Sequence, residues 1–282
     1  MGLRINTNVA SLNAQRNLGQ TRAAMEKTLE KLSSGQRINR AGDDAAGLAI
    51  SENLKAQIRG LGQAERNAYD GISLVQIAEG SLTEVSSILI RLRELAVQAA
   101  SDTIGATERK FLNVEFEQLI SEIDRIANST EFNGVPLLNG TGTVFDVQIG
   151  TRNDPIIDRL TFDASSSDVN VAALGLNLAS VSDKMSAQNS LAILDQAITS
   201  LSGIRANFGA LQNRLQSTVN NLAVSIENIS AANSRVRDAD VAAETAELTK
   251  NNILVQAGTS VLAQANSYSK NAVQLINSAA VQ

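Results

Sequence analysis

Two adjacent carboxylates, Asp43 and Asp44, stand between Gly42 and Gly47 in the stretch NRAGDDAAGLAISENLKAQIRGL. Paired acids can hold a divalent cation or divide acid and base roles, and with Asp124 as a third oxygen donor they would suit a helical hydrolase. That chemistry needs a metal or a second acid–base group, and no ligand-spaced motif lies near the pair. The chain has no histidine, so the commonest general base and metal ligand is missing and an H-E-x-x-H zinc helix is excluded. It has no cysteine either, which removes thiol catalysis and a disulfide framework. The other reading of the acidic pair is structural. Gly35, Gly42 and Gly47 straddle a change from a neutral stretch to a charged one, and Asp43 or Asp44 can accept backbone N–H groups where a helix begins. These residues read as a joint, and the sequence is assigned no catalytic residue, no metal site and no cofactor.

A joint requires helices on either side. Both prolines, Pro136 and Pro155, fall in one central stretch, so the residue that most strongly breaks helices is absent before and after it. Leu18, Met25, Leu29 and Leu32 recur on one helical face, as do Ile50, Leu54, Ile58 and Leu61, and again Leu112, Phe116, Leu119, Ile123 and Ile126. Further on, Phe208, Leu211, Leu215, Val219, Leu222, Ile226 and Ile229 step by threes and fours over about 32 Å of helix. The centre has a different texture. Asn133-Gly134 and Asn139-Gly140 are turn dipeptides of the kind that closes hairpins, and Phe145, Val147 and Ile149 alternate with polar residues as in a half-buried strand that RLTFDA could partner. From Ala164 to Ser190 the residues are small and serine-rich, which predicts a short loop with one hairpin or helical turn.

The predicted fold is mainly α: an extended antiparallel long-helix bundle or coiled coil with a small β-hairpin region at the far tip and the chain ends together opposite. The expected boundaries are residues 1–42 with 241–282 as one helical domain and 43–240 as another, containing a β region over about 131–165 and a short variable segment over about 164–190.

Composition narrows the class further. Hydrophobic residues make up 43% of the 282 but aromatics only 3%, which favours thin helical packing through Ala, Leu, Ile and Val over a thick aromatic core. A formal charge of −5 gives no electrostatic reason to expect nucleic acid or an anionic membrane as a partner. No apolar run reaches the roughly eighteen residues of a membrane span, and MGLRINTNVASLNAQRNLGQ lacks the apolar core of a secretory signal peptide. The ends of the chain are nearly uncharged: Arg16 is the only charged residue from Ile5 to Thr21, and Lys270 the only one from Asn251 to Gln282. An independent surface helix carries a charged outer face, whereas these ends carry amides and small residues around narrow stripes. The stripes are Val9 and Leu12 at one end, and Leu254, Val261, Ala265, Tyr268, Ala272 and Leu275 at the other. A two-helix coiled coil with a polar back is the simpler reading. The sharper one is that many copies pack these ends together, because neutral helices can be surrounded without burying unpaired charge; head-to-tail contacts that do not close into a ring make a filament.

The segment LEKLSSGQRINRAGDDAAGLAISENLKAQIRGL resembles the N-terminal conserved region of bacterial flagellin, and SAANSRVRDADVAAETAELTKNNILVQAGTSVLAQAN resembles its C-terminal partner. The resemblance covers both helical halves, while roughly residues 142–190, where flagellins vary, are short here. It implies a structural subunit of the extracellular flagellar filament, exported through the flagellar type III apparatus. Its paired terminal helices would form an inner tube and the α-helical domain an outer one. Implied partners are further copies of itself, other flagellins, the export apparatus and its chaperone, the cap and the hook-junction proteins. A hook–filament junction protein is the alternative within the family.

The family also implies contact with a Toll-like flagellin receptor, through a helix matching ILIRLRELAVQAA and an acidic position matching Glu115; Arg91, Leu95 and Glu115 fit that pattern, while Ile90 stands where a glutamine is common. On spacing alone, Arg91 with Glu94 and Glu122 with Arg125 are i,i+3 pairs on solvated helices. The three sequon-like matches at Asn128, Asn139 and Asn228 are short motifs in an Asn-rich chain and identify no glycan acceptor.

Overall fold

The computed structural model describes residues 7–279, with side chains described over 7–268. The chain divides into two compact units, one made of Met1–Ala56 with Ile229–Gln282 and the other of Gln57–Asn228. Five long helices carry it: α1 (Val9–Ser34), α2 (Ala45–Ala100), α3 (Ala106–Ser129), α4 (Lys184–Arg237) and α5 (Val241–Ala279). The boundaries of these compact units fall within α2 and α4.

In the unit Gln57–Asn228, α3 and α4 each run antiparallel to α2. Ion pairs mark the register of α2 with α4: Glu79 with Arg205, Arg93 with Asp195, and Asp102 with Lys184. Arg91 with Glu115 and Ser81 with Thr130 do the same for α2 and α3. The periodic apolar residues fill the space between them, with Leu82, Leu89, Leu92, Leu95, Phe116, Ile123, Leu194 and Phe208 buried in one continuous core. At the turn from α2 to α3, Arg109 reaches back to donate to the Ala99 and Ser101 carbonyls, at 2.8 Å each. A cationic fork thereby satisfies groups that the end of α2 leaves unpaired.

Two antiparallel hairpins follow α3. Strands β1 (Glu131–Phe132) and β2 (Val135–Pro136) are joined by Asn133 and Gly134, both at positive φ, which is the two-residue turn that Asn-Gly predicts. Strands β3 (Val144–Gln148) and β4 (Arg159–Asp163) pair with Phe145 opposite Phe162, as the alternation and RLTFDA suggest. The second Asn-Gly pair does not close a hairpin between strands; it bends the chain between β2 and β3.

The small sheet is present, but its place differs from the expected tip. Phe162 packs on Phe208 of α4 with ring centroids 5.0 Å apart, Asn67 of α2 donates to the Gln148 carbonyl, and a Cβ on Gly71 would lie 3.3 Å from Val147. The hairpin is thus laid against the sides of α2 and α4, where its apolar face finds cover, and the α2–α3 turn lies elsewhere in the unit. The serine-rich stretch is also more ordered than a bare loop. It holds two 3-10 turns, Ala164–Ser167 and Leu176–Leu178, pins Val169, Leu174 and Val181 into the core, and ends where Asp183 accepts the Ser186 N–H to start α4.

In the other unit α1 and α5 pair antiparallel, as contacts from Ser11 with Asn266 to Lys31 with Glu244 show. Asn8 accepts the Ser11 N–H at the start of α1, and Asp240 accepts the Ala242 and Ala243 N–H groups at the start of α5.

Candidate assembly surface and joint

At the joint the two aspartates have separate structural tasks. Asp44 accepts the Gly47 N–H at 2.8 Å and caps α2. Asp43 accepts the N–H groups of Asn39 and Arg40 and pairs with Lys27 at 2.7 Å. The Lys27 bond, aided by the Arg40 and Asn39 amides, holds the Asp43 carboxyl at about 2, below its ordinary 3.8. Both carboxylates are thus committed to the fold, and among the described residues no group of three or more His, Cys, Asp or Glu is placed to hold a metal ion.

The glycines divide similarly. Gly47 is required by close approach, since a Cβ there would lie 2.4 Å from the Asp44 carboxylate and 2.8 Å from Ile38. Gly42 faces open space without positive φ, and the left-handed turn that ends α1 is supplied by Gly35, at φ 69°.

The returning chain completes this joint. Arg37 N–H donates to the Arg237 carbonyl and Ala239 N–H to the Gly35 carbonyl, so the link between α1 and α2 is zipped to the link between α4 and α5. Arg237 reaches Gln36, Ser51 and Glu52, and the buried Ser51 donates to Asn233. Sequence reasoning did not find this zipper. Its signal is an extended backbone pairing between residues far apart in the chain.

The seam between α1 and α5 is narrow and partly polar. Ser11, Ala14, Leu18 and Thr28 of α1 are buried, as are Asn251 and Ala265 of α5, and a Cβ added to Gly258 would lie 3.3 Å from Leu18. Asn8 donates across it to the Ala265 carbonyl, and Ser11 to Asn266. The buried Nδ2 of Asn251 has no hydrogen-bond partner among the described residues. Ala265 belongs to this internal seam. The other members of the sequence stripes do not: Val9, Leu12, Leu254, Val261 and Tyr268 all face outward, Val261 at 58% exposure. Ala272 and Leu275 lie in α5 but outside the residues whose side chains are described. On α5 the seam positions 251, 258 and 265 step by seven, and the outward positions 254, 261 and 268 step by seven beside them. An uncovered apolar stripe therefore runs along the part of α5 from Asn251 onward, where Lys270 is the only charged residue, and this is a surface suited to another protein chain and unsuited to catalysis.

The receptor residues carried over from the family are split by the fold. Arg91 pairs with Glu115 at 2.8 Å and with Glu94 at 3.1 Å on the exposed faces of α2 and α3, and these two carboxylates raise the arginine's pKa, Glu115 most. Leu95 is fully buried in the core, because α2 turns residues 92, 95, 96 and 99 inward. Arg91 and Glu115 share a surface, and Leu95 supports it from beneath. The same helices expose Ile90, Val97, Phe111 and Val114. No described helix is long and apolar enough to cross a membrane.

Comparison with known proteins places these features. The bacterial flagellin N-terminal helical region matches residues 5–143, and the bacterial flagellin C-terminal helical region matches residues 191–276. Flagellin of Halalkalibacterium halodurans is 46% identical over 272 residues, covering 96% of this chain and 99% of that protein. Flagellin of Bacillus subtilis is 45% identical, covering 97% and 100%. The flagellar filament 33 kDa core protein of Treponema phagedenis is 43% identical, covering 96% and 99%. Among solved structures, Bacillus cereus flagellin aligns with a TM-score of 0.51 at 35% identity over 60% of this chain and 94% of that one. With both conserved regions matched and relatives 43–46% identical over nearly their whole length, the chain belongs to the bacterial flagellins and is a structural subunit of the flagellar filament, not an enzyme.

Proposed function

We propose that the α1–α5 pair is the part of the subunit that completes its packing only in the polymer, so that folding of the chain ends and growth of the filament are one process. In this reading residues 1–42 and 241–282 form the inner tube and residues 43–240 the outer one. The observation that carries it is the outward stripe of Leu254, Val261 and Tyr268, with Val9 and Leu12, on helices that bury few large apolar side chains against each other. Ordering each backbone residue costs roughly 1 to 2 kcal/mol, and a seam of Ala, Gly, Ser, Thr and Asn with Leu18 as its one large apolar member among the described residues offers little apolar area to offset it. Neighbouring copies would supply the missing cover, with neutral amides avoiding the cost of buried charge.

The family resemblance supports further steps as part of the same proposal. The chain is exported by the flagellar apparatus with its chaperone, added beneath the cap beyond the hook-junction proteins, and displayed outside the cell, alone or with other flagellins. A Toll-like flagellin receptor would meet the exposed Arg91–Glu115 pair.

Hydrogen exchange on free subunit and filament tests the coupled folding. Weak protection of residues 251–279 in the free subunit and strong protection in the filament is the expected result. Strong protection in the free subunit would sink it. Adding dissociated subunits to filament seeds should give elongation; binding only to hook ends would favour a junction role.

A further inference from the structure

The chain holds two Asn-Gly pairs in one short region, and the fold treats them differently. We infer that Asn133 is a site of spontaneous succinimide formation and deamidation in the folded subunit, while Asn139 is shielded from the same reaction.

The reaction requires a free side-chain amide, an unencumbered amide nitrogen on the next residue, and enough freedom to bring the two together. Asn133 is exposed, and among the described residues neither its side chain nor the Gly134 N–H makes a hydrogen bond. Nothing lies within 4 Å of a Cβ placed on Gly134. The flanking strands are two residues each, with Glu131 opposite Pro136 and Phe132 opposite Val135. So short a hairpin opens at little cost, and the left-handed turn is not a lasting barrier to the reactive conformation.

Asn139 lacks two of these freedoms, a free side chain and room to move. Its Oδ1 accepts from the Thr141 N–H at 3.1 Å and from the Thr141 hydroxyl at 2.7 Å, and its own carbonyl accepts from Asn170 at 2.9 Å. The preceding residue is tied down too, since the Leu138 carbonyl accepts the Val169 N–H and Leu138 is fully buried. The following residue is crowded, because a Cβ on Gly140 would lie 2.6 Å from the Asp168 carboxylate.

At Asn133 the Gly134 nitrogen gives its proton to hydroxide and attacks the side-chain carbonyl carbon. The N–Cγ bond forms and the Cγ–Nδ2 bond breaks, with Nδ2 leaving as ammonia after taking a proton from water. Water then opens the five-membered imide at one carbonyl or the other, giving aspartate or isoaspartate. No electron transfer or co-reactant other than water is involved. The product adds a negative charge two residues from Glu131, and its isoaspartate form inserts a methylene into the backbone of a two-residue turn.

The test is to age the full-length subunit at mildly alkaline pH, folded and in concentrated urea. Fragmentation mass spectrometry then localises the mass change, and isoaspartyl methyltransferase labelling counts the isoaspartate. The expected result is conversion at residue 133 several times faster than at residue 139 in the folded chain, with the difference largely lost in urea. Asn133→Gln should abolish the labelling at that position and leave position 139 unchanged. Equal rates at the two sites in the folded chain, faster conversion at Asn139, or no conversion at Asn133 would each overturn the assignment.

Discussion

The two units of this flagellin solve the same problem, burying helices, with different materials. Within Gln57–Asn228 the helices interlock through Leu82, Leu89, Leu92, Leu95, Phe116, Ile123 and Leu194, and charged pairs occupy the exposed faces. Between α1 and α5, Leu18 is the one large apolar side chain that is buried among the described residues, and Ser11, Thr28 and Asn251 share the seam with it. The first arrangement supplies its own driving force, since each fully buried Leu or Phe contributes about 1.5 to 3 kcal/mol. The second leaves its larger apolar residues outside. On the proposed reading, the contrast separates a part that folds by itself from a part that is finished by its neighbours.

The sharpest way to break that contrast is to cut into each unit in turn. Phe116→Ala should destabilise Gln57–Asn228 by about 3 to 5 kcal/mol, read as a shift of the urea midpoint of the free subunit. Leu18→Ala should leave that midpoint in place. Equal shifts would show that the α1–α5 pair is already folded in the free subunit. Next in size is Val261→Lys, which puts a charge on the outward stripe. It should stop elongation from seeds while leaving the urea transition unchanged, and filaments of normal length from this variant would remove the stripe from the assembly surface.

A smaller effect is expected at the joint. The folded Asp43 carboxyl titrates at about 2 and the unfolded one near 3.8, so its stabilisation is present above the unfolded value and fades as pH falls from 3.8 toward 2. Amide exchange at Asn39 and Arg40 should accelerate over that window, and Asp43→Asn should abolish the pH dependence. Smallest of all is Arg91→Ala, a surface change expected to alter stability by under about 0.5 kcal/mol. It should weaken receptor signalling by soluble subunits at unchanged helix content, and unaltered signalling would remove Arg91 from the proposed contact.

Much of this architecture was legible in the sequence, and the limits have physical causes. Long helices follow from apolar residues at threes and fours in chain free of proline, and β3–β4 from alternation over Phe145, Val147 and Ile149. A cap by Asp43 or Asp44 was legible because an acidic residue before an apolar-periodic run can accept the first free N–H groups of a helix, and the structure gives that bond to Asp44. The exposed stripes were visible too, yet Ala265 was grouped with them. A small residue fits an internal seam or an outer face equally well, and only the position of α1 decides. Polar seam residues were hidden for the same reason: Ser11, Thr28 and Asn251 look like solvent-facing residues until a partner helix covers them. Leu95 was grouped with Arg91 by the family resemblance alone, and the edge of the buried face passes between them. The place of the β3–β4 hairpin depends on Gly71 and Phe208, distant in sequence from both strands, and local pattern carries no information about such contacts.

Spacing by sevens on α5 has a geometric consequence for whatever covers it. Seven residues of a regular α-helix fall about 20° short of two full turns, so a line through residues 254, 261 and 268 is a shallow left-handed spiral, not a straight edge. A straight rod laid along it would lose contact within a few turns. A neighbour that keeps contact must coil with it, or hand the groove on to the next neighbour at a fixed angle. The handedness of packing around this helix is thus written into a count of residues, before any particular side-chain contact is made.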